Sequence, residues 1–207
     1  ATAKEIPSNP LGVFDPFPAY PEYERRGSLS LYFHFFEVIA FGFHSLPYFF
    51  ALFLIHFLNA LLVCRLWRSL GGSFSAATLS GLIFLCTGAA YQNLIFIHLT
   101  ARLLCILLFL LATHSWIEFL RSRAPFSFLK TMVFQVLALL TKEDALAFPW
   151  IALFLCFRLV TKEEGRGRIL TRYWPWILAS HALTAVFNLQ SFIFSPLRAE
   201  KLFLPGD

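Results

Sequence analysis

Long apolar runs separated by short polar segments dominate the chain. The runs cover residues 46–66, 76–97, 101–120, 126–141, 145–160 and 173–194. Because a helix rises about 1.5 Å per residue, about 20 apolar residues cross the hydrocarbon layer of a membrane. The pattern therefore predicts an all-α fold, a polytopic transmembrane helix bundle with about six spans.

The runs 126–141 and 145–160 are short, and only the charged residues Lys142, Glu143 and Asp144 lie between them. One straight helix over both would extend about 52 Å, which is too long for a single crossing. We expect either two short spans or a broken helix that enters a polar cleft.

Residues 1–45 have a different composition, with five prolines before residue 22 and tyrosines among charged residues. This composition predicts an extracytoplasmic loop. Residues 28–43 are aromatic and weakly amphipathic, which is typical of a helix lying in the headgroup layer, and Gly42 should end it. The predicted organisation is a loop and interfacial helix over 1–45, a transmembrane bundle over 46–194 and an extracytoplasmic tail over 195–207.

Composition supports this class of protein. Hydrophobic residues make up 58% of the chain, charged residues 14%, and the mean hydropathy is +0.67. These values exceed what a water-soluble core requires, so the sequence indicates an integral membrane protein, whose first partner is the lipid bilayer.

Basic residues collect in alternate loops, and short loops rich in them stay in the cytoplasm. These loops hold more than half of the 17 basic residues but only Glu118, Glu163 and Glu164 of the 12 acidic ones. The basic residues are Arg65, Arg68, Arg121, Arg123, Lys130, Arg158, Lys162, Arg166, Arg168 and Arg172. Topology thus accounts for the net charge of +5 without nucleic-acid binding.

With this orientation both chain ends lie outside the cytoplasm, in a bacterial inner membrane or an equivalent one. Residues 1–45 contain no signal peptide and the chain begins with Ala1, so we expect it to be part of a longer or processed product. The four cysteines fall inside predicted spans without paired spacing, and the histidines lack metal-ligand spacing. We expect no disulfide framework, no metal and no cofactor.

Four sequence elements resemble the GT-C superfamily of multispanning glycosyltransferases, including its protein O-mannosyltransferase-like and TMTC-like branches. The elements are Ser8-Asn9-Pro10 with the later Tyr23-Glu24-Arg25-Arg26-Gly27-Ser28-Leu29, the helix His56-Phe57-Leu58-Asn59-Ala60-Leu61-Leu62-Val63, the turn Thr100-Ala101-Arg102-Leu103-Leu104, and Ala138-Leu139-Leu140-Thr141-Lys142-Glu143 followed by Pro149. They occur in the family's order over about residues 8–160.

The resemblance implies transfer of a sugar from a polyprenyl-phosphate carrier at the outer face. Arg25, Arg26, Arg102 and Lys142 would then hold the lipid phosphate, since arginine donors match phosphate oxygens. Glu143 or Asp144 would orient a sugar hydroxyl or act as the base, with Glu5 and Asp15 as further base candidates. The chain departs from the family where an early catalytic Asp should stand, because only Lys4 and Glu5 precede Asn9 there.

Each group also has a structural interpretation. Arg102 could extend to the interface at a helix start, and Lys142 could neutralise Glu143. His56 and Asn59, one helical turn apart, are better explained by interhelical hydrogen bonds. A different class of function is then an inactive relative that packs as an accessory subunit among other membrane subunits, as in a photosynthetic, respiratory or translocation complex.

Overall fold

The computed structural model describes residues 28–42, 44–87, 100–164 and 173–187, and all regular secondary structure in these ranges is helical. The elements are α1 (Ser28–Phe41), α2 (Ser45–Ser69), α3 (Phe74–Cys86), α4 (Thr100–Ser122), α5 (Pro125–Thr141), a 3₁₀ helix (Glu143–Ala147), α6 (Phe148–Glu164) and α7 (173–187). The predicted all-α class is confirmed for this part of the chain.

Some predictions concern residues outside these ranges. They include the amino-terminal loop with Glu5, Asp15, Arg25 and Arg26, the second half of the run 76–97, the basic residues 166–172, the end of the run 173–194 and the tail 195–207. These remain predictions.

Within the described ranges two helices, α2 and α4, are long and apolar enough to cross a membrane. They agree within three residues at each end with the predicted runs 46–66 and 101–120. Helices α3 and α5 are also apolar but shorter. The total of six spans remains a prediction.

Helix ends in the described ranges have local causes. Gly42, which ends α1 as predicted, has a φ of +57° that a residue with a side chain rarely adopts, and its N–H donates to Val38 O at 2.9 Å. The side chain of Ser73 caps α3 by accepting from Ala76 N at 3.2 Å. Pro125 occupies the first turn of α5, where its missing N–H is not needed.

The helix breaks between α5 and α6, as the length of the run 126–160 predicted. Lys142 has extended backbone angles, φ −163° and ψ 148°, while its N–H still donates to Ala138 O at 3.0 Å. Residues Glu143–Ala147 then form the 3₁₀ helix, so α6 begins at Phe148 rather than at residue 145 as the apolar run suggested. Three consecutive charged residues favour such a break because they do not continue an apolar helix face.

The chain divides into two compact units, Ala1–Phe148 and Pro149–Asp207. In the second unit the indole of Trp150 contacts the ring of His181 edge-on, with the centroids 5.4 Å apart. In the first unit α2 packs against α3 and α4, α4 packs against α5, and Phe33 of α1 packs against a core of Leu52, Ile55 and Leu103.

Neighbouring helices in the first unit, from α2 to α5, alternate in direction along the chain. The guanidinium of Arg121 donates to Ser69 O, so the carboxyl ends of α4 and α2 are adjacent. Arg68 lies over the ring of Phe74, which brings the start of α3 to this end of the unit. Lys130 near the start of α5 pairs with Glu118. We call this the basic end, and the opposite end holds the start of α4 and the end of α5.

The α2 and α3 backbones approach closely through small residues. A Cβ added to Gly81 would lie 2.2 Å from Cys64 Sγ and 3.1 Å from Ala60 O. Ala60 and Cys64 on α2 therefore face Gly81 on α3, and Ala77 one turn earlier on α3 is also buried. Small residues four apart on both helices are typical of tight helix pairs in membranes.

Polar side chains of α2 bond to neighbouring helices, as predicted. His56 Nε2 donates to Leu85 O of α3 at 3.3 Å, and Asn59 Nδ2 donates to Leu103 O of α4 at 3.0 Å. Both side chains are almost completely buried. Because buried amides and imidazoles need partners, these two bonds fix how α2 sits against its neighbours.

Candidate functional site

Three of the predicted site residues meet where α5 ends and α4 begins. Lys142 Nζ lies 3.4 Å from Asp144 Oδ2, and Arg102 Nε lies 3.9 Å from the same oxygen. We call these three residues the junction site. Among the described residues, neither cation has a carboxylate other than Asp144.

The helix break puts these side chains together. Arg102 is in the first turn of α4, Lys142 directly follows the last residue of α5, and Asp144 is in the 3₁₀ helix that comes next. The buried thiol of Cys105, one turn after Arg102, lies 3.8 Å from both Ala138 O and Lys142 O. This contact holds the start of α4 beside the end of α5.

The junction site is open at the surface. Asp144 exposes 55% of its side chain and Arg102 exposes 44%, whereas Lys142 exposes 18%. The two separations exceed the usual length of a hydrogen bond, so both contacts are ion pairs. Exposed ion pairs contribute about 0–1 kcal/mol, and a ligand with a stronger charge could therefore replace Asp144 at little cost.

The sequence interpretation paired Lys142 with Glu143, which stays a prediction, and the structure pairs Lys142 with Asp144. The side chain of Glu143 lies outside the described part of the chain, as do Glu5, Arg25 and Arg26. The structure thus brings Arg102, Lys142 and Asp144 together, and the roles of the other predicted residues stay predictions.

A second polar site lies at the basic end, and sequence reasoning missed it. A cleft of about 510 Å³ opens between α2, α4 and α5, with Arg65, Arg121 and Lys130 among its lining residues. We call it the basic cleft. Its basic residues were used above only to infer orientation, because their convergence depends on α2 and α4 running in the same direction.

Among the described residues, no group of three or more His, Cys, Asp or Glu side chains is placed to hold a metal ion. Cys64, Cys86, Cys105 and Cys156 form no disulfide with one another. The chain matches no protein-family model, no curated protein and no solved structure.

Proposed function

We propose that this chain is a polytopic membrane protein that binds a polyprenyl-phosphate-linked sugar at the junction site. The binding site is supported by the convergence of Arg102 and Lys142 on a single oxygen of Asp144. The assignment to a membrane is supported by the distribution of apolar side chains.

Helix α5 has polar residues inside and apolar residues outside. Its buried side chains include Ser127, Thr131 and Gln135. Its exposed large side chains are Phe126, Leu129 and Val133. In α2, only 28% of the most apolar 18-residue window is buried. A core helix of a water-soluble domain would bury that window, whereas a lipid-facing helix exposes it and keeps its polar groups inside the bundle.

The two ends of the first unit fit the orientation derived from the basic loops. Arg65, Arg68, Arg121 and Lys130 share the basic end, which belongs in the cytoplasm under the positive-inside tendency. The junction site is at the other end of α4, and Arg102 is about 28 Å from Arg121 of the basic end for a rise of about 1.5 Å per residue. It therefore opens outside, where a polyprenyl-linked sugar is presented.

The chemistry follows from the residue types at the junction site. The guanidinium of Arg102 and the ammonium of Lys142 bind the phosphate oxygens of the carrier lipid, and binding releases them from Asp144. Asp144 is then free to accept a hydrogen bond from a sugar hydroxyl or to take the proton of an acceptor hydroxyl. If transfer occurs, the oxygen of the acceptor hydroxyl attacks the anomeric carbon of the sugar. The bond between this carbon and the phosphate breaks, and the polyprenyl phosphate leaves as an anion held by Arg102 and Lys142.

Binding of a short-chain polyprenyl phosphate to the purified full chain tests this site. A charge-assisted hydrogen bond contributes about 1.5–3 kcal/mol, so Arg102→Ala and Lys142→Ala should each weaken binding by about tenfold or more. The matched control is Arg68→Ala, which removes an exposed arginine at the opposite end and should change affinity less than twofold. Unchanged binding in both junction-site variants rejects the phosphate site.

The second candidate is an accessory subunit that has kept the bundle without the reaction. It is favoured by the fact that Asp144 pairs with both cations, as a carboxylate in purely structural ion pairs does. In that case the junction-site variants bind polyprenyl phosphate as weakly as the parent chain. A partner present in equal amount would then remain with the protein in mild detergent.

A further inference from the structure

The basic cleft gathers one cation from each of three helices. Arg65 comes from α2, Arg121 from α4 and Lys130 from α5. Glu118 is the only acidic residue among the lining side chains, and its Oε2 lies 3.7 Å from Lys130 Nζ. Three positive charges and one negative charge leave the cleft with an excess of positive charge, which attracts an anion.

The three cations differ in how many of their N–H donors already bind a partner in the protein. Arg121 donates to Ser69 O and so caps the carboxyl end of α2. Lys130 lies 4.8 Å from the ring of Phe126 in addition to its pairing with Glu118. Arg65 is exposed and forms no ion pair with any described residue. A guanidinium carries five N–H donors, so Arg65 retains the donors for a forked contact with an anion.

The cleft is apolar where it enters the bundle. Leu62, Leu111 and Phe134 line it there. A 3.0 Å hydrogen bond from His114 Nε2 of α4 to Leu62 O of α2 links these two helices inside the cleft. A cleft with a cationic rim and an apolar interior suits a ligand that has an anionic head and an apolar body. Its volume of about 510 Å³ falls within the usual range for small-ligand sites.

We propose that the basic cleft binds the phosphate of a phosphate ester. Arg65 and Arg121 contact the phosphate oxygens, because the planar fork of arginine matches phosphate geometry. Lys130 adds a point charge. The ester comes either from the headgroup of an anionic phospholipid, whose acyl chains would reach the apolar interior, or from a soluble organic phosphate. Basic pockets between helices at a cytoplasmic membrane face are suited to the first source.

This proposal needs the membrane setting but not the junction site. The two sites lie at opposite ends of α4, and none of the residues that line the basic cleft belongs to the junction site. Failure of polyprenyl-phosphate binding at Arg102 and Lys142 would therefore leave the basic cleft untouched, and the reverse also holds.

The test measures binding to the full chain in a neutral detergent. The probes are phosphatidylglycerol in mixed micelles, phosphatidylcholine as the lipid without net charge, and glycerol 3-phosphate as the soluble ester. We expect Arg65→Gln to weaken binding about fivefold or more. Arg68→Gln is the matched control, since it removes an exposed arginine three residues further along α2 and outside the lining of the cleft. It should change affinity less than twofold.

Glu118→Gln provides a gain of binding that misfolding cannot mimic. It removes the only acidic lining residue and frees Lys130, so affinity should rise about threefold or more. Binding of phosphatidylglycerol without glycerol 3-phosphate would support the site with a lipid as its ligand, and comparable binding of both would support it with a soluble ester. The proposal is overturned if neither binds, if Arg65→Gln and Arg68→Gln lose affinity equally, or if Glu118→Gln does not bind more tightly.

Discussion

The side-chain amide of Asn59 on α2 donates a 3.0 Å hydrogen bond to the backbone carbonyl of Leu103 on α4. Asn59 is fully buried, and the carbonyl that it reaches lies one residue after Arg102. The bond therefore ties the centre of α2 to the helix turn that carries a junction-site cation. Loss of this bond should affect both the stability of the bundle and the position of Arg102.

We expect Asn59→Ala to lower the free energy of unfolding by about 1–2 kcal/mol, because it removes an interhelical bond and leaves a small cavity. Unfolding in detergent, followed by circular dichroism, measures the change. Thr78→Ala is the control, since the exposed Thr78 hydroxyl bonds only to Phe74 O within its own helix. An equal loss of stability in both variants would contradict the role assigned to Asn59.

Gly81 should not tolerate a side chain. In Gly81→Ala the new Cβ would lie 2.2 Å from Cys64 Sγ, so α3 or the Cys64 side chain must move, at a cost of about 1–3 kcal/mol. Cys64→Ala removes the sulfur, and Cys64 Cβ is 3.8 Å from the added carbon. The double variant should therefore recover most of the lost stability in the same unfolding assay. Failure of this rescue would mean that the contact with Ala60 O at 3.1 Å sets the cost.

Asp144→Asn separates the two interpretations of the junction site. The exposed ion pairs contribute little, so the free energy of unfolding should fall by less than about 1 kcal/mol. If Arg102 and Lys142 bind phosphate, removal of their shared carboxylate should raise polyprenyl-phosphate affinity about threefold or more and abolish any sugar transfer that needs Asp144. Purely structural ion pairs would leave the affinity for polyprenyl phosphate unchanged. Glu118→Gln is the control, because it frees a lysine at the other end of the unit.

The sequence predicted features that a single helix determines. The lengths of the apolar runs gave α2 and α4 within a few residues, and Gly42 marked the end of α1 because few residues adopt its positive φ. The bonding of His56 and Asn59 to other helices was also predictable, since a polar group in an apolar helix must find its partner inside the bundle.

The features that the sequence did not predict depend on how helices meet. The pairing of Lys142 with Asp144 depends on the 3₁₀ helix, which turns the Asp144 carboxylate toward Arg102 of α4. The basic cleft arose from the parallel directions of α2 and α4, which place Arg65 and Arg121 together. Gly81 showed no special pattern, and its importance appears only once Cys64 is seen against it.

The assignment of the two ends to opposite sides of a membrane gives the last prediction. In a background with Cys64 and Cys86 replaced by alanine, the separate variants Arg102→Cys and Lys142→Cys should each react with a membrane-impermeant maleimide added outside intact cells. Cysteines at Arg65 and Arg68 should react only after the membrane is opened, because they share the basic end. Cys105 and Cys156 are buried and should contribute little background. If Arg102 and Lys142 were labelled from different sides, their common contact with Asp144 could not exist in the membrane, and the phosphate site would fail with it.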